Sequence, residues 1–291
     1  MRLAGTIVAA YGRQYRVELA DGALLLCFPR GKRSELACGD HVSVQRTSPT
    51  QGVINSLEAR TTLLYRSDNV RQKLIAANVT QIIIVVATEP SFSDELITRC
   101  IVAAENQSIR VVIVLNKCDL SERVAAAAAT LAPFEQLGYP VVQLSALAEG
   151  TRLQPYLREQ TSLLIGQSGM GKSTLINALV PDAQVATREF SPALQAGRHT
   201  TTRAQLYRLS TTTALLDSPG LMAFGLRHLS RNDIAQGFLE LRPLLGQCRF
   251  RDCRHETEPD CRVQAALRHG EIDHRRYAAF RSLCAEIVWR S

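Results

Sequence analysis

The sequence predicts an α/β protein: a mostly parallel sheet with helices on both faces, preceded by a small β-barrel and followed by a helical module around a cysteine cluster. Three observations carry that expectation. Residues 166–174 read Gly-Gln-Ser-Gly-Met-Gly-Lys-Ser-Thr, a G-x-x-x-x-G-K-[ST] phosphate loop between an apolar strand-like run at 162–165 and the first helical turns at 175–180. β-Branched apolar runs alternate with helical patterns from residue 79 to 180, as strands buried on both faces require. Five short strand-like runs with turn signals between them fill the first 60 residues.

The chain has 291 residues, enough for two or three domains, and the composition shifts divide it at 1–62, 63–230 and 231–291. Its formal charge of +7 favours polyanions such as RNA, DNA or an anionic membrane. No run resembles a signal peptide and no apolar stretch reaches 18 residues, so a cytoplasmic protein is expected. Five of the eight cysteines are scattered; Cys248, Cys253 and Cys261 are clustered, which in a reducing compartment suggests metal before disulfide.

In chain order, runs at 3–10, 15–19, 24–28, 41–45 and 53–57 suit an OB-like barrel. Arg30, Lys32 and Arg33 would stand on one rim, as a phosphate contact or equally as a solvated loop. Residues 61–77 read as a connector. A buried strand at 79–87 leads to a helix at 94–106 with Asp94 and Glu95 in its first turn. A second strand at 111–115 precedes a helix at 122–137, capped by Ser121 and stopped by Gly138. A third strand spans 141–144, then comes the phosphate loop. Residues 181–203 read as a mobile loop, and 204–209 with 213–216 as a hairpin. Helices are expected at 263–269 and 273–289.

Four further motifs accompany the phosphate loop, three of them at strand ends. In Asn116-Lys117-Cys118-Asp119, a carboxylate at Asp119 can accept two hydrogen bonds from the N1–H and amine of guanine, a pair adenine cannot offer. Asn116 would brace the loop and contact the base edge, and Lys117 would lie over the ring. Ser145-Ala146 could present the Ala146 N–H to guanine O6. Lys172 would reach the β/γ-phosphates, within a backbone cradle formed by Gly166, Gln167, Ser168, Gly169, Met170, Gly171 and Thr174. Ser173, Asp217 and Thr200 or Thr201 would hold Mg²⁺, and the Gly220 N–H would meet the γ-phosphate. Leu221 occupies the position where many GTPases carry the glutamine that orients water. His228 and His199 are the nearby candidates to replace it, and Arg198 could neutralise developing charge.

The motif order is that of a circular permutation, since 116–119 and 145–146 precede the phosphate loop. A sheet tolerates this because its ligands gather at strand carboxyl ends whichever strand comes first. The C-terminal module is thereby tethered to the γ-phosphate-sensing segment 217–220, which suggests nucleotide-dependent reorientation of that module. Cys248-x4-Cys253-x-His255-x5-Cys261 offers a Cys₃His set for structural zinc, with all four positions filled by protein. Arg268, Arg275, Arg276 and Arg281 line parts of the last helices; Arg275 and Arg276 are candidate RNA contacts, though solvated helices would read the same way.

Taken together, these motifs resemble the circularly permuted, ribosome small subunit-dependent GTPases of bacteria over nearly the whole length. The resemblance implies a late-stage assembly factor that binds ribosomal RNA near the decoding region and hydrolyses GTP when the subunit stimulates it. It also implies that a histidine past the 217–220 segment replaces the missing glutamine, which points to His228. With the residue readings above, the expected catalytic residues are Lys172, Thr201 and His228, the expected cofactors one structural Zn²⁺ and Mg²⁺ with GTP, and the expected state a monomer. Two other readings stay open: a GTP-controlled RNA-binding switch with negligible turnover, and an ATP-dependent enzyme with a coincidental N-K-x-D.

Overall fold

The structure is a computed structural model, and it describes residues 2–31, 36–67, 72–180, 183, 204–218 and 224–288. β1 (Arg2–Tyr11), β2 (Gln14–Leu19), β3 (Leu24–Pro29), β4 (His41–Arg46) and β5 (Gln51–Leu57) form the N-terminal barrel. Its order is β1-β2-β3-β5-β4, closed by β1 against β4, with β3 and β5 parallel. Strict alternation sends Tyr15, Val17 and Leu19, then Leu25 and Cys27, then Val42 and Val44 into its core. The OB-like expectation is thus met strand for strand.

Residues 61–77 are expected to be a connector, but the described part of them holds two antiparallel strands, β6 (Leu63–Ser67) paired with β7 (Gln72–Ala77). The Gln107 side chain ties the pair to the next helix, accepting from the Leu63 N–H at 2.7 Å and donating to its carbonyl at 2.8 Å. These partners lie 44 residues away, beyond the reach of local patterning.

The main sheet follows with β8 (Gln81–Ala87), α1 (Asp94–Glu105), β9 (Arg110–Asn116), α2 (Val124–Gln136), β10 (Val141–Gln143), α3 (Gln154–Leu157), β11 (Thr161–Ile165), α4 (Lys172–Leu179), β12 (Gln205–Arg208) and β13 (Ala214–Asp217). Its order is β10-β9-β8-β11-β13-β12, parallel except for β12. At Ala9 and Gln205 β12 meets β1, which joins barrel and sheet into eleven strands. Along β8, Ile82, Ile84 and Val86 face the α1 and α2 layer while Ile83, Val85 and Ala87 face α4. Burial on both faces explains its unbroken apolar run.

α1 is capped by Ser93, which accepts from the Glu95 N–H. Ser121 does not begin α2 as expected: a 3-10 turn covers Ser121–Arg123, and the helix starts at Val124 without a side-chain cap. The remaining helices are α5 (Arg231–Gln236), α6 (Arg262–Arg268) and α7 (His274–Val288). Phe238, Val263, Phe280 and Leu283 share one core with α1. No described helix is long and apolar enough to cross a membrane.

Candidate functional site

The parallel strands end together on one edge of the sheet, and register places the motifs side by side. β11 runs into Gly166 between β8 and β13, with Leu164 opposite Asp217 and Ile165 opposite Ile84. β9, beside β8, ends at Asn116, and β10 leads into Ser145. Segments that precede the phosphate loop in the chain therefore flank it in space.

The loop is built on close approach. A Cβ at Gly166 would overlap the Val85 carbonyl, so the loop leaves β11 against the backbone of β8. Gly169 and Gly171 take φ of +83° and +89°, which favours glycine. Lys172 opens α4, and its Nζ donates to the carbonyls of Gly166 (2.6 Å) and Gln167 (2.8 Å). Burial pushes its pKa down, and the Asp217 carboxylate opposes that. Burial pushes Asp217 up, against the pull of Lys172 and the Ser218 N–H. Each charge partly compensates the desolvation of the other, and both face the edge where phosphate and a cation would add the missing partners.

Asn116 is the brace. Its buried Nδ2 donates to Met170 O at 2.9 Å, and its Oδ1 accepts the Ala146 N–H at 2.8 Å. One amide thus links the phosphate loop to the Ser145-Ala146 turn. The Ala146 N–H, expected at guanine O6, is spent on Asn116 in this structure. Lys117 sits at φ +61°, with Nζ on the Glu89 carbonyl and its own carbonyl accepting from Thr88 Oγ1. That left-handed residue turns Asp119 outward. Asp119 is exposed and makes no hydrogen bond or ion pair among the described residues, so both carboxylate oxygens are open to a base. Asp119→Asn is expected to weaken GDP binding about a hundredfold or more, since two charge-assisted bonds are lost. Displacement of a fluorescent GDP analogue measures this; unchanged affinity would remove Asp119 from the site.

His228 is not in this site. It lines a cavity of about 390 Å³ with Leu63, Tyr65, Ala103, Asn106, Gln107 and Phe224, and its ring lies 5.5 Å from that of Tyr65. α1 descends from the site edge, and its last turn meets the start of β9, where Arg110 pairs with the first residue of β8. His228 therefore stands at the opposite edge of the sheet, and its sequence-based catalytic role is not supported by this geometry. The cause is the docking of 224–229 on β6, including a Gly225 N–H to Tyr65 O bond. Thr200, Thr201, His199, Arg198 and Gly220 lie outside the described residues, as do Lys32 and Arg33.

Of the RNA candidates, Arg30 is exposed at the end of β3. Arg275 is half-exposed and pairs with Asp94 (3.2 Å) and Asp273. Arg276 is a correction: at 4% exposure it is interior, bonded to Glu240 (2.7 Å) and Thr98 (2.8 Å). It locks α7 against α1 and cannot touch RNA. Sequence alone did not reveal Glu240, 36 residues upstream.

The second cluster is the cysteine set. The ligand atoms of Cys248, Cys253, His255 and Cys261 all lie within 4.8 Å of one another. Cys248 and Cys261 Sγ are 3.8 Å apart, and each is 3.5 Å from His255 Nδ1. A tetrahedron of thiolates about 2.3 Å from a zinc ion has S···S edges of about 3.8 Å, so the donor set fits that ion. The His255 carbonyl is fixed by the Tyr277 hydroxyl (2.6 Å) and Gln264 Nε2 (2.8 Å), which orients the ring from its backbone. Glu258 accepts from the N–H groups of Arg254, Glu256 and Thr257; burial opposes ionisation, but these bonds hold its pKa down at about 2.

The fold and the first cluster define a class: a P-loop nucleotide-binding protein whose guanine-recognition strands come before the phosphate loop. A family model described as RsgA GTPase matches residues 57–227. The small ribosomal subunit biogenesis GTPase RsgA of Nitrosospira multiformis is 52% identical over 98% of this chain and 91% of its own. That of Nitrosomonas europaea is 49% identical over 97% and 90%. Among solved structures, YjeQ from Thermotoga maritima superposes with a TM-score of 0.78 at 29% identity, covering all of both chains. YloQ, a circularly permuted GTPase, gives 0.73 at 24% identity over 100% and 96%, and supports the fold. The chain belongs to the RsgA GTPase family, and GTP hydrolysis is its activity.

Proposed function

We infer that this GTPase is a late-stage assembly factor of the small ribosomal subunit, binding its RNA and hydrolysing GTP faster when bound. The observation that carries this reading is identity of about one half, over nearly the full chain, to proteins named small ribosomal subunit biogenesis GTPases. The net charge of +7 agrees with an RNA partner. The protein acts as a cytoplasmic monomer of three parts, 1–62, 63–230 and 231–291.

In this reading Asp119 selects guanine, Asn116 and Ala146 shape the base pocket, and Lys172 with the backbone of 166–174 grips the β- and γ-phosphates. Ser173 and Asp217 hold Mg²⁺, with Thr200 or Thr201; the ion would neutralise charge developing on the phosphates. The Gly220 N–H meets the γ-phosphate, and Lys172 and Thr201 stabilise charge during attack by water. With His228 at the far edge, the free protein is expected to turn over slowly. Rate measured against added small subunits tests the reading: a rise of tenfold or more is expected, and no rise would reject it.

Structural Zn²⁺ is held by Cys248, Cys253, His255 and Cys261, one per chain, and keeps the 248–262 loop folded. Elemental analysis is expected to find one zinc per chain, lost in Cys261→Ser. Stripping it with a strong chelator should expose 248–262 to protease while leaving GDP binding measurable. Full retention of protection without metal would contradict the assignment.

A further inference from the structure

We propose that Thr88, at the end of β8, is a positioning residue for guanine recognition: its hydroxyl sets the turn from which Asp119 meets the base. This deepens the nucleotide-site reading above and rests on Asp119 as the residue that bonds guanine.

Asp119 is exposed and bonds to nothing among the described residues, so its own side chain does not fix where it points. The backbone before it does. Asn116 is anchored through its amide, on Met170 O and the Ala146 N–H. Cys118 is anchored through its N–H, on the Leu144 carbonyl at 3.2 Å. Between them Lys117 takes φ +61°, a left-handed conformation unfavourable for an L-residue. Such a turn persists only where its surroundings hold it.

The hold comes from β8. That strand is apolar from Ile82 to Ala87, and Thr88 follows at once, 7% exposed. Ala87 and Asn116 are the last matched pair of β8 and β9. One step further the Thr88 N–H still donates to the Asn116 carbonyl, at 3.2 Å. At Lys117 the chain turns away, and a side chain takes over from the ladder: Thr88 Oγ1 donates to the Lys117 carbonyl at 3.0 Å. The same carbonyl accepts the Leu120 N–H at 3.0 Å, which closes the turn around Asp119. Lys117 Nζ adds a third link, donating to the Glu89 carbonyl at 2.7 Å. Lys117 is thus held by main chain and side chain from a segment that begins 29 residues upstream.

A carboxylate that accepts two hydrogen bonds from one base edge must be aligned to both, because such bonds weaken steeply with angle. Guanine offers the N1–H and the amine; hypoxanthine offers the N1–H alone. A threonine that only filled space would matter equally for both bases. One that aligns Asp119 matters more for guanine.

The test uses the full chain with Mg²⁺ and displacement of a fluorescent GDP analogue by GDP and by inosine diphosphate. The unaltered protein is expected to favour GDP about tenfold or more, the worth of one hydrogen bond to a charged group. Thr88→Val keeps the shape and removes the hydroxyl. It is expected to weaken GDP about 2- to 12-fold, the effect of one lost hydrogen bond. Inosine diphosphate should lose less, so that the preference for GDP narrows about twofold or more. Thr88→Ser keeps the hydroxyl and should keep the preference. Thr88→Ala carries the same test if Thr88→Val does not fold. Equal losses for the two nucleotides overturn the proposal and leave Thr88 a packing residue. A preference that narrows as much in Thr88→Ser overturns it as well. The reading of Asp119 fails separately: unchanged GDP affinity in Asp119→Asn removes both, whereas a loss there beside an unaffected Thr88→Val removes only the proposal.

Discussion

Gly171→Ala is expected to lower affinity for GDP and GTP about a hundredfold or more. Gly171 precedes α4 at φ +89°, a conformation that costs an L-residue about 1–2 kcal/mol. Its Cβ would also overlap Asn116 Nδ2. Asn116 cannot yield cheaply, because it is buried and its amide joins Met170 O to the Ala146 N–H. Displacing it leaves buried polar groups unpaired, at about 1–3 kcal/mol each, and moves the phosphate and base halves of the pocket together. Gly138→Ala is the control. Gly138 has φ +93°, but nothing lies within 4 Å of its would-be Cβ. It carries the same backbone strain without the collision, so a small loss of stability and unchanged nucleotide affinity are expected. Equal affinity loss in both variants would show that strain, not the Asn116 brace, governs the site.

Arg276→Met is expected to destabilise the fold by about 3–5 kcal/mol, the cost of leaving one partner of a buried ion pair alone. The Arg276 and Glu240 side chains are 5% and 9% exposed. The guanidinium also donates to Thr98 and lies 4.6 Å from the centre of the Phe238 ring and 5.2 Å from that of Phe134. Removing it strands Glu240 in an apolar corner. A fall in melting temperature on the order of 10 °C should follow. Adding Glu240→Leu should recover most of it, because the charge no longer needs compensation. A single variant that melts with the unaltered protein would contradict the burial of this pair.

Features whose cause is local were legible in the sequence. Barrel strands announce themselves by alternation between short turns, and the β8 strand by a run that only two-sided burial explains. The phosphate loop and the Cys₃His spacing state their chemistry through residue type. Features whose cause is tertiary were not legible. The β6–β7 pair holds its place through Gln107 and the 224–229 segment, so its mixed pattern reads as connector. Arg276 looks like a surface charge because Glu240 and Thr98 come from distant parts of the chain. Ser121 has the right chemistry to cap a helix, yet a 3-10 turn separates it from α2. His228 follows the Asp217 segment closely in sequence, but its packing on Tyr65 carries it to the other edge of the sheet. Ser145 and Ala146 follow β10, and the Ala146 N–H goes to Asn116 rather than standing free for a base, a pairing that depends on β9 and β10 lying side by side.

The central claim is that strand ends from separated stretches of chain converge into one pocket that recognises guanine. Equilibrium displacement of a bound fluorescent GDP analogue by GTP and by ATP, in the presence of Mg²⁺, tests it most directly. GTP should displace the probe at concentrations at least about a thousandfold below those of ATP, because a site built to bond the guanine edge leaves Asp119 unpaired when adenine enters. Displacement by ATP at similar concentrations would contradict the account.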